Sequence, residues 1–219
     1  MSELQKKIDQ TYNEVKYSHI NWGVHLLPTI KQAVEEFNQE MAAQDLPQVQ
    51  LNIRSESGKK ARTKARAKHE LGDQVELAFA PQPLQLAENV PGREALSDLL
   101  EEQSRLVFSQ SLSGGIRADI YLPRSEISHP VKESYVADSW TNPGLIGKGT
   151  VLNLLKTAAE LNNYCSAANY PNPKGYQLLS RLEARDLIIT QGKSRLWTCL
   201  NYFTRDPKAG ARFYTSGKK

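Results

Sequence analysis

Lys60, Arg62, Lys64, Arg66 and Lys68 occupy every second position of one stretch, with Ala61, Thr63, Ala65 and Ala67 between them and Lys59 just ahead. Side chains of these types neutralise phosphates and release the counterions condensed on a polyanion. In an extended segment all five cations point to one side; in a helix they spread around the cylinder. The surrounding run SESGKKARTKARAKHELG has too little apolar surface to order itself. Alone it reads as a flexible loop, and against DNA or RNA as an arm that tracks phosphates. A solvated charged loop is the simpler alternative.

A second set lies near the end of the chain. Leu178, Leu179 and Leu182 recur at helical spacing, which leaves Lys174, Gln177, Ser180, Arg181 and Arg185 on the outer face of the same helix. Arginine can hold guanine O6 and N7 bidentately and glutamine can pair with adenine, so this face suits contact with phosphates and base edges. The period then changes to alternation, with Leu187 and Ile189 before, and Leu196, Thr198 and Leu200 after, the turn residues Gln191, Gly192, Lys193 and Ser194. A helix followed by a hairpin is predicted, with Lys193 and Arg195 on the hairpin.

Both sets sit on segregated charge. The chain is +4 overall, yet residues 54–69 carry +6 and residues 174–219 carry +7, which leaves the rest at −9. Two basic zones on an acidic body form the footprint of a protein that meets a polyanion through particular surfaces.

Catalytic chemistry finds less support. Asp119 and Glu76 lie on predicted strands, with Lys132 and Glu133 later, but no compact order of acids and lysine marks a metal-dependent nuclease. GxxxxGK[ST], the dinucleotide-binding glycines, HExxH and GxSxG are all missing, and GLIGKGT has the wrong glycine spacing for a phosphate loop. Hence no catalytic residue, metal site or cofactor is assigned. Cys165 and Cys199 lack CxxC or paired-histidine neighbours and read as reduced core thiols. His19 and His25 read as packed or surface side chains. With no apolar run of transmembrane length and a charged start, MSELQKKIDQ, the expectation is a cytoplasmic protein with no membrane partner.

The elements that must carry these residues follow from periodicity. Leu4, Ile8, Tyr12 and Val15 predict a helix over roughly 2–18, capped by Ser2. After HINWGVHLL, Pro28 restarts a helix with Leu27, Ile30, Val34, Phe37 and Met41 on one stripe, which is either core or a pairing seam for a second copy of the chain. VQLNI and QVELAFA alternate as partner strands on either side of the basic stretch. Leu96, Leu99 and Leu100 predict a helix near Gly92 to Gln103, with Asp98, Glu101 and Glu102 on a surface face. RLVFSQSL and IRADIYL flank Ser113, Gly114 and Gly115 as a hairpin, with Ile116, Ala118, Ile120 and Leu122 on one side and Arg117, Asp119 and Tyr121 on the other. Pro123 to Leu145 read as a linker or covering loop pinned by Trp140. A helix from Gly149 and Thr150, with Thr150 as cap, presents Val151, Leu154, Leu155, Ala158 and Leu161.

The order helix, short helical turn, helix, hairpin over the last third resembles the winged-helix superfamily. That resemblance implies a helix whose N-terminal part enters the major groove and a basic wing on the backbone. It also implies an alternative, since winged helices serve as protein-binding modules. The sequence therefore predicts an α+β fold: an N-terminal domain of antiparallel hairpins and helices over 1–145 and a C-terminal winged-helix domain over 146–219. Its expected partner is nucleic acid, DNA favoured over RNA, with protein partners or a homodimer as the other option. The alternative function is a structural subunit of a nucleoprotein complex, and the weakest is a nuclease.

Overall fold

The computed structural model describes residues 2–54, 71–83, 100–125, 128–167, 172–191 and 214–216. Lys59, Lys60, Arg62, Lys64, Arg66, Lys68, Lys193, Arg195 and Cys199 lie outside them, as do residues 192–200 of the expected wing. The fold is mixed α+β, with an N-terminal helix and antiparallel sheets.

Helix α1 (Glu3–Asn21) begins where Ser2 Oγ accepts from the Gln5 amide at 3.2 Å, the cap expected from its position. The chain does not break at Pro28. It passes through a π-helical turn (Trp22–Leu26) into α2 (Leu27–Ala42). The Leu27 amide donates to Trp22 O, one residue further back than an α-helix allows, just before the proline that has no amide to give. The Thr29 hydroxyl donates to the His25 carbonyl at 2.8 Å. Ile30, Ala33, Val34 and Phe37 are buried, so the stripe on α2 is core.

Strands β1 (Val49–Arg54) and β2 (Leu71–Phe79) pair antiparallel from Val49 opposite Phe79 to Arg54 opposite Gln74. Strands β5 (Arg105–Ser111) and β6 (Ile116–Tyr121) form the second hairpin, turning at Gly114 with φ +87°. Both join one sheet in the order β1-β2-β5-β6-β9, where β9 is Ser134–Trp140. The linker predicted over 123–145 thus contains the last strand of this sheet. Its alternation is hidden by a register shift where β9 passes Ala118 and Asp119. Trp140 does anchor it, stacked on Phe108 with centroids 6.5 Å apart.

A smaller sheet runs β10-β8-β7-β4-β3, from β3 (Gln82–Pro83), β4 (Leu100–Glu102), β7 (Arg124–Ser125), β8 (Ser128–Pro130) and β10 (Tyr214–Ser216). The predicted helix near 92–103 is therefore a strand over its described end. Pairing with Gln82 and Ser125, distant in sequence, overrides the local leucine spacing. Nor is Glu101 a surface acid: it is buried and accepts from the Ala167 amide at 2.7 Å.

Helix α3 (Lys148–Cys165) starts from Gly147, so Thr150 is inside the first turn rather than the cap. Helix α4 (Pro173–Gln191) continues through Leu187 and Ile189, where sequence alternation predicted a strand. Its buried stripe Gly175, Leu179, Leu182 and Asp186 keeps helical spacing to the end and outweighs the β-branched run. The core unites α2, α3, α4 and one face of the large sheet, from Phe37 against Phe79 to Leu155, Leu161 and Leu179, so residues on both sides of position 145 share it.

Gly175 sets the distance between α3 and α4. A Cβ there would lie 2.6 Å from the Tyr164 carbonyl oxygen and 3.3 Å from Cys165 Sγ. Gly175→Ala must push the helices apart, and we expect a loss of about 1–3 kcal/mol, measured as a lower midpoint in urea unfolding. An unchanged midpoint would show that this contact is slack.

Candidate nucleic-acid interface

Antiparallel register assigns every strand residue to a face. Val75, Leu77, Leu106, Phe108, Ala118 and Ile120 point to the helices. The opposite face carries three rows. The first is Gln50, Ala78, Arg105, Tyr121 and Ser134; the second is Asn52, Glu76, Val107, Asp119 and Val136; the third is Arg54, Gln74, Ser109, Arg117 and Ser139. Arginines thus occupy the outer rows and carboxylates the middle one.

The ion pairs follow from that placement. Arg54 reaches Glu76 at 2.8 Å and Arg105 reaches it at 3.3 Å, so one carboxylate serves two guanidinium groups. Arg117 holds Asp119 bidentately, Nε at 2.8 and 3.0 Å from its two oxygens. The Arg105 guanidinium also lies 4.4 Å from the centre of the Tyr121 ring. A groove of about 360 Å³ runs between these side chains, and its lining residues come from all five strands. Burial pushes the Asp119 carboxyl above the usual aspartate range, and this outweighs the opposing pull of Arg117; Asp186 adds to the rise and Lys132 opposes it.

Glu76 and Asp119, the pair that a nuclease would need, share the middle row but stand two strand spacings apart, roughly 10 Å, with Val107 between them. Among the described residues no three of His, Cys, Asp or Glu come together to hold a metal ion. Lys132 is engaged elsewhere, paired with Asp186.

Asp186 is a residue whose role the sequence concealed. It is buried, and it joins α4 to the outer strand of the sheet by accepting the Val136 amide at 2.9 Å while pairing with Lys132. An edge amide that would otherwise lack a partner is thereby satisfied. The outer face of α4 is as expected in its exposure at Lys174, Gln177, Arg181 and Arg185, with Ser180 half-buried. Two of these side chains are engaged: Lys174 lies 5.5 Å from the Tyr164 ring centre and Arg185 pairs with Asp138 at 2.5 Å.

The histidines are structural ties. His19 bonds Gln110 Oε1 at 3.0 Å and the Leu112 carbonyl at 3.2 Å, and His25 bonds the Ile146 carbonyl at 3.3 Å. Cys165 is buried in the core, as expected, and forms no disulfide among the described residues.

Sequence reasoning put Arg117, Asp119 and Tyr121 on one side of their strand but assigned them no shared role, and it passed over Arg54 and Arg105. The alternation in each strand was visible; the order in which the strands join was not. No protein-family model, no curated protein and no solved structure matches this chain.

Two outcomes test these contacts. Asp186→Ala leaves the buried Val136 amide without its acceptor, while the half-exposed Lys132 turns to solvent, and should cost about 1–3 kcal/mol; Asp186→Asn keeps an acceptor for Val136 and should cost less. Equal losses in chemical unfolding would remove the amide contact from the account. For Asp119, a raised folded pKa means stability that is fully present below the unfolded value, about 3.9, and is lost as pH rises through the higher folded value. Melting profiles across acid pH should show that decline in the wild type and a flatter curve in Asp119→Asn. A flat wild-type difference would contradict the burial argument.

Proposed function

We propose that this chain is a non-enzymatic nucleic-acid-binding protein. It grips a phosphate backbone through the basic segment between β1 and β2, with duplex DNA the favoured target and α4 as a second contact. The observation that carries this reading is charge segregation: residues 54–69 hold +6 and residues 174–219 hold +7 in a chain of only +4. Arg54 and Gln74, paired at the mouth of the basic segment, stand in the same sheet row as Arg117, which supports a basic surface continuous with the segment.

In the finer form of the proposal, α3 and α4 are the helices of a winged-helix unit and residues 192–200 its wing, with Lys193 and Arg195 on the backbone. The exposed Gln177 and Arg181 on α4 support this, as does the close approach of the two helices at Gly175.

A second reading, a structural subunit of a nucleoprotein complex, is favoured by one observation. Helix α1 leaves Leu4, Ile8 and Tyr12 exposed along one stripe, the kind of face that a partner protein covers. In that case the lone chain binds nucleic acid weakly and gains affinity with its partner.

The deciding experiment is a salt titration of the purified chain against random duplex DNA and single-stranded RNA. It is run beside the variant with Lys60, Arg62, Lys64, Arg66 and Lys68 changed to alanine. We expect tight duplex binding with a steep salt dependence, and a slope reduced in the variant by up to about 0.9 per phosphate contact removed. No binding to either nucleic acid would overturn the proposal.

A further inference from the structure

We infer that the groove on the charged face of the large sheet binds one unit of an unpaired strand, its phosphate on the arginines and its base against the Arg105–Tyr121 pair. The inference rests on the nucleic-acid reading and names which form of nucleic acid this surface takes.

Width is the first reason. Five strands spaced at about 4.8 Å span roughly 19 Å, whereas the duplex major groove is only about 12 Å wide and admits a helix or a two-stranded ribbon. The lining residues come from all five strands, so the groove cannot be presented to base edges inside a duplex. An unpaired strand laid over the sheet has no such restriction.

Size and chemistry agree. About 360 Å³ falls in the range of sites that enclose one small molecule. Arg54, Arg105 and Arg117 supply three guanidinium groups against the two carboxylates of Glu76 and Asp119, which leaves one positive charge for a phosphate. The carboxylates hold the arginines at fixed positions, so little rotamer freedom remains to be lost on binding. The Arg105 plane over the Tyr121 ring is the type of platform on which bases stack regardless of their identity. Val107 forms an apolar floor between the two ion pairs, and Gln74 offers an amide donor and acceptor at the groove wall.

The test uses the full chain with fluorescent oligo-dT, oligo-rU and a random duplex, in wild type, Arg105→Ala, Arg105→Lys and the five-alanine variant of the basic segment. Arg105→Ala should weaken single-strand binding about tenfold more than duplex binding, as expected for loss of one stacking contact. Arg105→Lys keeps the charge but not the planar group, and should behave like the alanine variant. If Arg105→Ala loses its cooperative melt, Arg54→Ala, whose side chain is 61% exposed, reads the same groove without a packing change and should also weaken single-strand binding more than duplex binding. A preference for dT or for rU assigns the strand as DNA or RNA, and either supports the inference. Equal loss on both forms, or no loss, overturns it, even if the five-alanine variant shows that the chain binds nucleic acid. Failure of the wild type to bind any probe overturns both readings.

Discussion

The pairing of β5 with β6, Phe108 opposite Ala118 and Val107 opposite Asp119, decides which side of the sheet meets the helices and which carries charge. Because side chains alternate strictly, a slip of one residue would turn Phe108 out and bring Asp119 into the core. Burial makes that slip prohibitive. Leu106, Phe108, Ala118 and Ile120 are all fully buried beneath α2 and α3, and an ionised aspartate in their place would lack any partner. The polar rows on the other face are a consequence of the same register. Arg105 becomes a neighbour of Glu76 only because β2 lies beside β5, whereas Arg117 and Asp119 share a side of β6 by alternation alone.

The two helical layers are attached to the sheet by different means. Helix α2 is held by apolar contact and by Asn38, whose side chain amide both donates to the Val49 carbonyl at 2.9 Å and accepts from its amide at 2.8 Å. Helix α4 meets the outer strand β9, where Asp186 satisfies an edge amide and Arg185 pairs with Asp138. An arginine expected on a nucleic-acid-facing surface thus also serves as a bracket between α4 and β9. Exposed pairs of this kind contribute little to stability, so Arg185 can exchange its partner at small cost.

Among the described residues, helix α1 is held at its C-terminal end. The Ser18 hydroxyl donates to the Gly114 carbonyl at 2.5 Å, and the Gln110 amide donates to the Ser18 carbonyl at 3.2 Å. A Cβ at Gly114 would lie 2.5 Å from that of Ser18, so the positive φ and the close approach both call for glycine there. The first turns of α1 leave Leu4, Ile8 and Tyr12 exposed. The π-helical turn at Trp22–Leu26 lets this long helix run through Pro28 without a break, because the wider turn changes which carbonyl each amide must reach.

Local pattern was enough for the α+β class, for both hairpins, for the helical stripes of α2, α3 and α4, and for the sidedness of Arg117, Asp119 and Tyr121. Each rests on periodicity within one segment, and the burial that produces such periodicity needs no knowledge of the partner. Strand β9 escaped because its register shift breaks alternation, and β4 escaped because Leu96, Leu99 and Leu100 mimic a helix whose competitor, pairing with Ser125, lies far along the chain. The continuation of α4 over Leu187 and Ile189 goes with a buried stripe that ends on Asp186, whose partner Val136 lies fifty residues away. The groove could not be foreseen for the same reason. Arg117 and Asp119 are neighbours on β6, but Arg54, Glu76 and Arg105 lie on three strands that only the order β1-β2-β5-β6-β9 brings together, since pairing over long sequence separations is set by the packing of the whole sheet and by no local preference.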